Sequence, residues 1–459
     1  NNQNSHIPDY KTLTVTMRAA GTCMSGGSLT TSIVVDTTRY MNNIIEITDD
    51  YVRMQPGVMY RDLESETLKR NRIMPSYTAS KNICAVGGMF GNNCGGEKTL
   101  KYGKLENFTL ETKCIFSDGN EYTVRPLNRV ELEQKIAQND FEGNLYKTIW
   151  ELLQNNTELV MNAKPRVSKN SAGYYLWNVW NPDTGVFDLN KLLVGSQGTL
   201  GLVTEMVWRL VPVEPVSNVL AIYLPDLDRL GELSVKLSSF KPDSIESFDD
   251  HSLKLAFTFF FDFLSSMGIW QFIKLGFAMI PDGIQILRGG IPKLIVLVEV
   301  CGTDEEQVKQ KLQTIESSIS YFNYKTHICK NSTEADKYWR IRRESFNLLR
   351  KHMAGKRTAP CIDDLIVNPA DLPVFLPKII EILDKTKCVY TIAGHVGDGN
   401  FHIIPLLDMK LNASRDFVIN VSRQVYDLVI GLGGSITAEH NDGIMRTPFL
   451  QQMYGSEVV

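Results

Sequence analysis

Residues 18–30, RAAGTCMSGGSLT, and residues 79–103, ASKNICAVGGMFGNNCGGEKTLKYG, are two long connections made largely of glycine, asparagine and small polar residues. The first leads directly into a β-rich run, SIVVDTTRYMNNI. Glycine at this density lets backbone N–H groups close on something bulky and anionic. Thr22, Ser25 and Ser28 add hydroxyl donors suited to a pyrophosphate. One such loop is an ordinary connection, but two, both rich in Gly and Asn, point to a common ligand. Neither contains G-x-G-x-x-G, nor does the rest of the chain, so a dinucleotide site of the Rossmann type is disfavoured.

Outward from these loops, the chain divides into three blocks. The first, to about residue 213, alternates short β-rich runs (SIVVDTT, YVRMQPGV, ENFTLETKCIFSDGNEYTV, GLVTEMVWRLVPV) with Gly-rich connections. Its SDGNE turn reads as a hairpin, and apolar spacing predicts helices at 58–72 and 129–155. The second, about 217–408, carries strand-like NVLAIYLP, KLIVLVEVCG and CVYTIAGHVGDGNFHIIPLL. Helical stretches at 226–239, 304–321, 334–352 and 371–386 lie between them. This alternation predicts an antiparallel or mixed sheet covered by helices. The third, 411–430, reads as one amphipathic helix capped by Asn412 or Ser414 and closed by glycines. Residues 255–277, LAFTFFFDFLSSMGIWQFIKLGF, form an aromatic run interrupted by Asp262 and Lys274. Buried helices explain it first and a helix lying on a membrane surface second. A span, needing roughly 20 apolar residues, comes third.

A chain of 459 residues has room for two or three domains. A net charge of −4 and a pI near 6.1 leave no electrostatic footprint for nucleic acid. The 8 cysteines form no Cys-x-x-Cys, so no zinc ribbon or iron–sulfur cluster is encoded here. Scattered thiols suit a reducing compartment. No signal peptide is visible, and the polar opening NNQNSHIPDYKTL suggests a fragment of something longer.

Of only 7 histidines, two fall in GHVGDGNFHI, 394–403. Asp-Gly between apolar stretches signals a tight hairpin. A turn centred on Asp398-Gly399 sets His395 directly opposite His402, with Cβ atoms roughly 4.5–5.5 Å apart, a span that one metal ion can bridge. Two histidines packed on a sheet face, or splayed by a four-residue loop, fit the same residues. Asn400 falls in the expected turn, where it either orients a ligand or serves as a positive-φ residue.

Together, GTCMSGGSLT, VVDTTRYMNNI, VRMQPGV, PSYTASKNICAVGGMFGNNCGG, LKYG and GSQGTLGLVTEMVWRL resemble, in that order, the FAD domain of the vanillyl-alcohol-oxidase, or PCMH, type. GHVGDGNFHI and AEHNDGIMRTPF resemble the FAD-linked D-2-hydroxy-acid dehydrogenases, which include D-lactate, glycolate and D-2-hydroxyglutarate dehydrogenases. CIDDLIVNPADLPVFL (361–376) resembles bacterial members fused to a C-terminal iron–sulfur module. The implied fold is α+β: a PCMH-type FAD-binding domain at 1–213, an α/β substrate (cap) domain with a helix-covered antiparallel sheet at 214–408, and a C-terminal helical segment, 409–459, returning to the flavin. The family's first strand would lie upstream of residue 1 and part of the C-terminal return beyond 459.

The resemblance assigns the FAD pyrophosphate to Ala20, Gly21, Thr22, Cys23, Met24, Ser25, Gly26 and Gly27. Ser80, Gly87, Gly88, Asn92 and Asn93 would line the second side, with Gly198, Gly201 and Val203 closing over the flavin. Cys23 stands where serine is common. No histidine occurs in GNNCGGEKTLKYG, so the flavin is expected to be bound without a covalent link. In ITAEHNDG (436–443), Glu439 joins His395 and His402 as third ligand of a divalent metal (Zn, Mn or Fe), and His440 is left as catalytic base. Arg342, three after Trp339, would clamp the substrate carboxylate, with Arg343 adjacent. Lys169 and Tyr174 in KNSAGYYLW (169–177) would line the pocket beside Asn400.

The activity so implied is FAD-dependent oxidation of a D-2-hydroxy acid, with hydride to flavin N5. The expected acceptor is a quinone, an electron-transfer flavoprotein or an iron–sulfur module. Arg343, Lys356 and Arg357 are candidates for a second cation and lean the substrate towards a dicarboxylate. The alternatives are a non-catalytic flavin or electron-transfer subunit of a glycolate-oxidase-like complex and an alkylglycerone-phosphate-synthase-like enzyme. The expected location is cytoplasmic, with peripheral contact to the inner face of the membrane through 255–277.

Overall fold

The computed structural model describes residues 13–252, 290–331, 334–343, 357–386 and 388–459. The aromatic run 255–277, the far part of the helix expected over 334–352, and Lys356 lie outside them. Among the described residues, no helix is long and apolar enough to cross a membrane.

The chain forms two compact units. The first gathers the chain up to Pro165, Ser171–Val213 and Glu439–Val459. Its main sheet is antiparallel and five-stranded, in the order Ile44–Ile47, Tyr51–Met54, Leu202–Arg209, Thr109–Ile115, Glu121–Val124. The last two strands are joined by the SDGNE turn, where Gly119 takes φ +86°. A parallel pair, Val15–Arg18 with Ile33–Asp36, brackets the first Gly-rich loop. Helix 129–136 starts on a capping box between Asn128 and Glu131, and Phe141–Asn155 on Asp140, whose side chain accepts from the Gly143 N–H. Val52, Met54, Trp208, Phe108 and Leu105 are fully buried between sheet and helices. The second glycine-rich loop runs into the short helix Val86–Asn92.

The second unit comprises Arg166–Asn170 and Glu214–Ala438. Its eight-stranded antiparallel sheet runs Lys325–Ile328, Val216–Leu224, Leu294–Gly302, Ser244–Asp249, Val389–His395, Asn400–Leu407, Arg357–Thr358, with Leu365–Ile366 also on Asn400–Leu407. Every residue of Ser244–Asp249 is buried, so both faces of the sheet centre are covered. Helices Leu230–Ser238, Glu305–Ser318, Leu372–Asp384 and Asn412–Gly431 do the covering, as the alternating pattern predicts. The last of these differs in its start. Its N-cap is Leu411, with no side-chain cap; Ser414 is already inside the first turn and buried there.

The hairpin 389–407 departs from the expected register. His395 pairs with Asn400, and His402 with Ala393. The connection has four residues, Val396 to Gly399, rather than two. Tertiary contacts impose it: Gly397 N–H donates to the Ile245 carbonyl, and Asp398 accepts from Ser168 Oγ at 2.7 Å. Gly399, at φ +76°, packs so close to Val367 that a Cβ would lie 2.1 Å from its carbonyl oxygen. Asn400 is thus a fully buried strand residue, not a turn residue.

Candidate active site

A cleft of about 730 Å³, open solvent included, lies in the first unit, within the usual size of ligand pockets. Both glycine-rich loops and the 196–203 segment line it. Of the expected residues, Gly21, Thr22, Cys23, Gly27, Gly87, Gly88, Asn92, Gly198, Gly201 and Val203 do so. Gly88 shows why the loop is glycine there. A Cβ at Gly88 would meet only Ala19, at 3.7 Å, and would project into the cleft. At Gly87 the backbone presses on Pro56, whose carbonyl a Cβ would meet at 2.7 Å. A long, glycine-walled slot with hydroxyl and amide groups fits FAD.

Six expected contacts are not among the lining residues: Ala20, Met24, Ser25, Gly26, Ser80 and Asn93. Asn93 is a left-handed cap at φ 48°, and its side chain is spent on Glu106 through bonds of 2.9 and 3.0 Å. Ser25 is buried against the C-terminal segment, and Ser80 Oγ pairs with Thr78. Gln197 lines the cleft and went unnoticed in the sequence. Its Nε2 donates to Asn92 Oδ1 at 2.9 Å, and its Oε1 accepts from Gly443 N–H at 2.9 Å. The sequence signal was a Gln wedged before a glycine in GSQG, where φ is +51°. The Cys23 thiol sits beside Ser25 Oγ at 3.0 Å. Burial pushes its pKa up, but hydrogen bonds from Ser25, Gly27 and Asn92 outweigh this and the net shift is downward.

The C-terminal segment belongs to the same unit and carries Glu439 and His440. The His440 carbonyl accepts from Ser25 Oγ at 3.3 Å, and Met445 N–H donates to the Ser25 carbonyl at 3.2 Å. Glu439 is 5% exposed and presses on the second loop: a Cβ at Gly95 would lie 3.0 Å from its Oε1. Asp442 accepts from Gly173 N–H at 2.7 Å. Its other oxygen, Oδ1, has no hydrogen-bond partner. Burial raises its pKa to about 6, against the Gly173 hydrogen bond and Arg446. Tyr174 lies at the surface of this unit, 42% exposed, with its hydroxyl on Thr199.

In the second unit, the His395 and His402 rings stand edge to face with centroids 5.3 Å apart. His402 Nδ1 donates to the Asp363 carbonyl at 2.8 Å. His395 Nδ1 is 2.5 Å from Glu246 Oε1. A carbonyl and an ionised carboxylate only accept, so both Nδ1 atoms carry protons and the Nε2 atoms are the nitrogens that could ligate a metal. Imidazoles that bind metals are held in this way, and the pair fits a divalent ion. Glu246 was missed in the sequence reading. It sits in SIESFD, where an acid in a wholly buried strand is itself the signal. Its second oxygen is 2.7 Å from Arg342 Nη2. Burial pushes the Glu246 carboxyl up, but His395 and Arg342 more than reverse this, to about 2.

Arg342 is 9% exposed and ion-paired to Glu246 through Nη2. Lys169, expected at the pocket wall, is buried and 3.4 Å from Asp398. Asn400 directs its amide nitrogen to Asp364 and the Leu365 carbonyl. Arg343 is exposed and stacks over the Trp339 ring at 5.1 Å.

Residues 214–459 match the family described as FAD linked oxidases, C-terminal domain, and residues 8–125 match an FAD binding domain. The chain belongs to the FAD-linked oxidases, as the motif order implies. It is similar to a D-2-hydroxyglutarate dehydrogenase of Pseudomonas putida, at 28% identity over 98% of this chain and 43% of that one. A glycolate oxidase subunit of Bacillus subtilis matches at 23% over 96% of this chain and 78% of its own. A D-lactate dehydrogenase of Archaeoglobus fulgidus matches at 22% over 97% and 81%. The chain thus spans under half the length of the first of these relatives. Among solved structures, p-cresol methylhydroxylase superposes with a TM-score of 0.63 at 14% identity, covering 97% of this chain and 80% of its own. An alkyldihydroxyacetonephosphate synthase gives 0.62 at 14%, over 92% and 68%. At such identity these two speak to the fold, and they agree with the PCMH-type reading.

Proposed function

We propose that this protein oxidises a small D-2-hydroxy acid to the 2-oxo acid, with D-2-hydroxyglutarate the first candidate among its relatives' substrates. Bound in the glycine-walled cleft, FAD supplies the two-electron acceptor. His395 and His402 would hold a divalent metal, whose Lewis acidity favours ionisation of a hydroxyl. Arg342 binds the substrate carboxylate as a fork whose plane Glu246 presets. His440 takes the proton from the substrate 2-hydroxyl on its imidazole. Lys169 and Asn400 act as supports, holding Asp398 in the hairpin connection and Asp364 beside the hairpin, rather than as substrate contacts. Arg343, exposed on the second unit, is a candidate cation for a distal carboxylate.

The observation that carries this reading is the Glu246 bridge. One buried carboxylate orients both a metal-type histidine and the anchoring arginine, an arrangement a passive flavin carrier has no need of. Electrons would leave to a quinone, an electron-transfer flavoprotein or an iron–sulfur module. Peripheral membrane contact through 255–277 fits a quinone acceptor. Co-sedimentation with liposomes, lost on Phe259→Ser/Phe260→Ser in a folded protein, tests that contact.

Stopped-flow mixing of the FAD-loaded protein with D-2-hydroxy acids is the direct test of function. Bleaching of the oxidised flavin band by D-2-hydroxyglutarate, and not by its L-enantiomer, is expected. No bleaching by any D-2-hydroxy acid would favour an electron-transfer subunit or ether-bond chemistry instead.

A further inference from the structure

We propose that His327, Cys329 and Glu334 form a second divalent-metal site, of zinc type, which pins the start of the Arg342-bearing helix to the edge of the large sheet. The outermost strand, Lys325–Ile328, pairs with Val216–Leu224, placing His327 opposite Ala221. The pairing continues one step further, because Cys329 N–H donates to the Val219 carbonyl. Strand alternation then puts His327 and Cys329 on the same face. Helix 334–343 begins with Glu334, whose N–H donates to Asn331 Oδ1 at 3.0 Å. Its carboxylate is held at one end by Lys330 N–H, 2.6 Å from Oε2. The other oxygen lies 3.0 Å from His327 Nε2. One ligand atom from each of the three residues lies within 4.8 Å of the other two.

Bond lengths set what a metal would require. Zn–N and Zn–O near 2.0–2.1 Å and Zn–S near 2.3 Å, at tetrahedral angles, separate N from O by about 3.3 Å and S from N by about 3.6 Å. The nitrogen–oxygen pair is within a few tenths of an ångström of that spacing, and the sulfur has to close by about 1 Å at most. Thiolate, imidazole and carboxylate together select Zn²⁺ or Co²⁺ over Mg²⁺ and Ca²⁺. His327 is 30% exposed at its side chain, so water can take the fourth position. Lys337 Nζ stands 3.9 Å from the same Glu334 oxygen. That ammonium competes for the carboxylate and sets the affinity below that of a closed four-ligand site. On binding, the metal takes the place of the proton on His327 Nε2, the ring keeping one proton on Nδ1 as neutral imidazole. The thiol proton of Cys329 goes to solvent, and no redox change is involved. Ordering at Glu334 reaches Arg342 two turns along the same helix.

The test uses the full FAD-loaded chain, stripped by chelator and titrated with Co²⁺, with spectra taken as differences. A thiolate-to-cobalt charge-transfer band is expected, and it should persist in His395→Ala/His402→Ala. Cys329→Ser should abolish it. The proposed catalytic site has no sulfur ligand, so this band is separate from it, whatever becomes of flavin bleaching, and its loss in Cys329→Ser distinguishes the new site from the Glu214, Asp243 and Cys301 group. If Cys329→Ser fails to retain FAD, His327→Gln on the accessible side of the site is the second arm, and Co²⁺ affinity should fall roughly tenfold or more with FAD content unchanged. Absence of the band in the unaltered protein, its survival in folded Cys329→Ser, or unchanged Co²⁺ affinity in His327→Gln would overturn the proposal.

Discussion

Glu246→Gln separates the two tasks given to one buried carboxylate. In the native protein Glu246 is 1% exposed, with Arg342 Nη2 at 2.7 Å and His395 Nδ1 at 2.5 Å. Glutamine fills the same volume but offers one acceptor oxygen, and its amide must face the remaining donor. Arg342, 9% exposed, then loses its counter-charge. Removing one partner of a buried ion pair costs about 3–5 kcal/mol, and the lower end applies because the amide oxygen still satisfies one donor. At roughly 2–4 °C per kcal/mol for units of this size, Tm should fall by about 6–12 °C. If the amide oxygen stays with His395, metal content holds and KM rises. If it turns to Arg342, metal affinity drops about 10–100-fold. Calorimetry, elemental analysis and steady-state kinetics on one preparation read all three. Glu246→Leu/Arg342→Met should regain much of the stability, since apolar replacement of a buried pair is often neutral or better, yet remain inactive. Glu246→Gln equal to the native protein in Tm, metal content and KM would refute the bridge.

His440→Ala should retain metal and FAD while flavin reduction slows about 10²–10⁴-fold, whereas His395→Ala should lose metal and keep FAD; metal loss in both variants would make His440 a ligand. Gly88→Leu should fold normally, because its Cβ has room, and should purify colourless because the rest of the side chain fills the cleft; a yellow Gly88→Leu protein would place the flavin elsewhere. Asp442 supplies a pH signature. Its carboxyl is raised to about 6 in the fold, so the native state binds the proton more tightly than the unfolded chain does. Its contribution therefore falls as pH rises from about 4 to 6, by up to about 3 kcal/mol. Urea denaturation at pH 5 and 8 should show this slope flattened in Asp442→Asn, and an unchanged slope would assign the linkage to other groups.

The sequence was informative where a residue's role is local. The SDGNE turn and the alternation of strand and helix each depend on neighbours a few residues away, and each appears in the structure. It was silent where the partner lies far along the chain. Nothing near Arg342 or Lys169 in the chain marks Glu246 or Asp398 as their counter-ions. The family resemblance sets Asn93 beside Asn92 at the cleft; a left-handed helix end turns it to Glu106 instead.

The histidine hairpin shows how a register other than the expected one still leaves the two imidazoles as neighbours. Asp398-Gly399 favours a two-residue turn locally, but Asp398 is taken by Ser168 and Lys169, and Gly399 is tucked under Val367. These long-range contacts lengthen the connection to four residues. His395 then faces Asn400, two positions short of His402. Side chains alternate with period two along a strand, so a shift of two keeps His402 on the face of His395, as a diagonal neighbour still within side-chain reach. The ring centroids at 5.3 Å confirm that reach. A shift of one would have sent His402 to the opposite face and removed the pair. Deleting Gly397 should do just that: the connection shortens by one, the alternation beyond it inverts, and metal content should fall as far as in His402→Ala. Metal retained in a folded Gly397 deletion would mean that the hairpin re-forms its register around the ion.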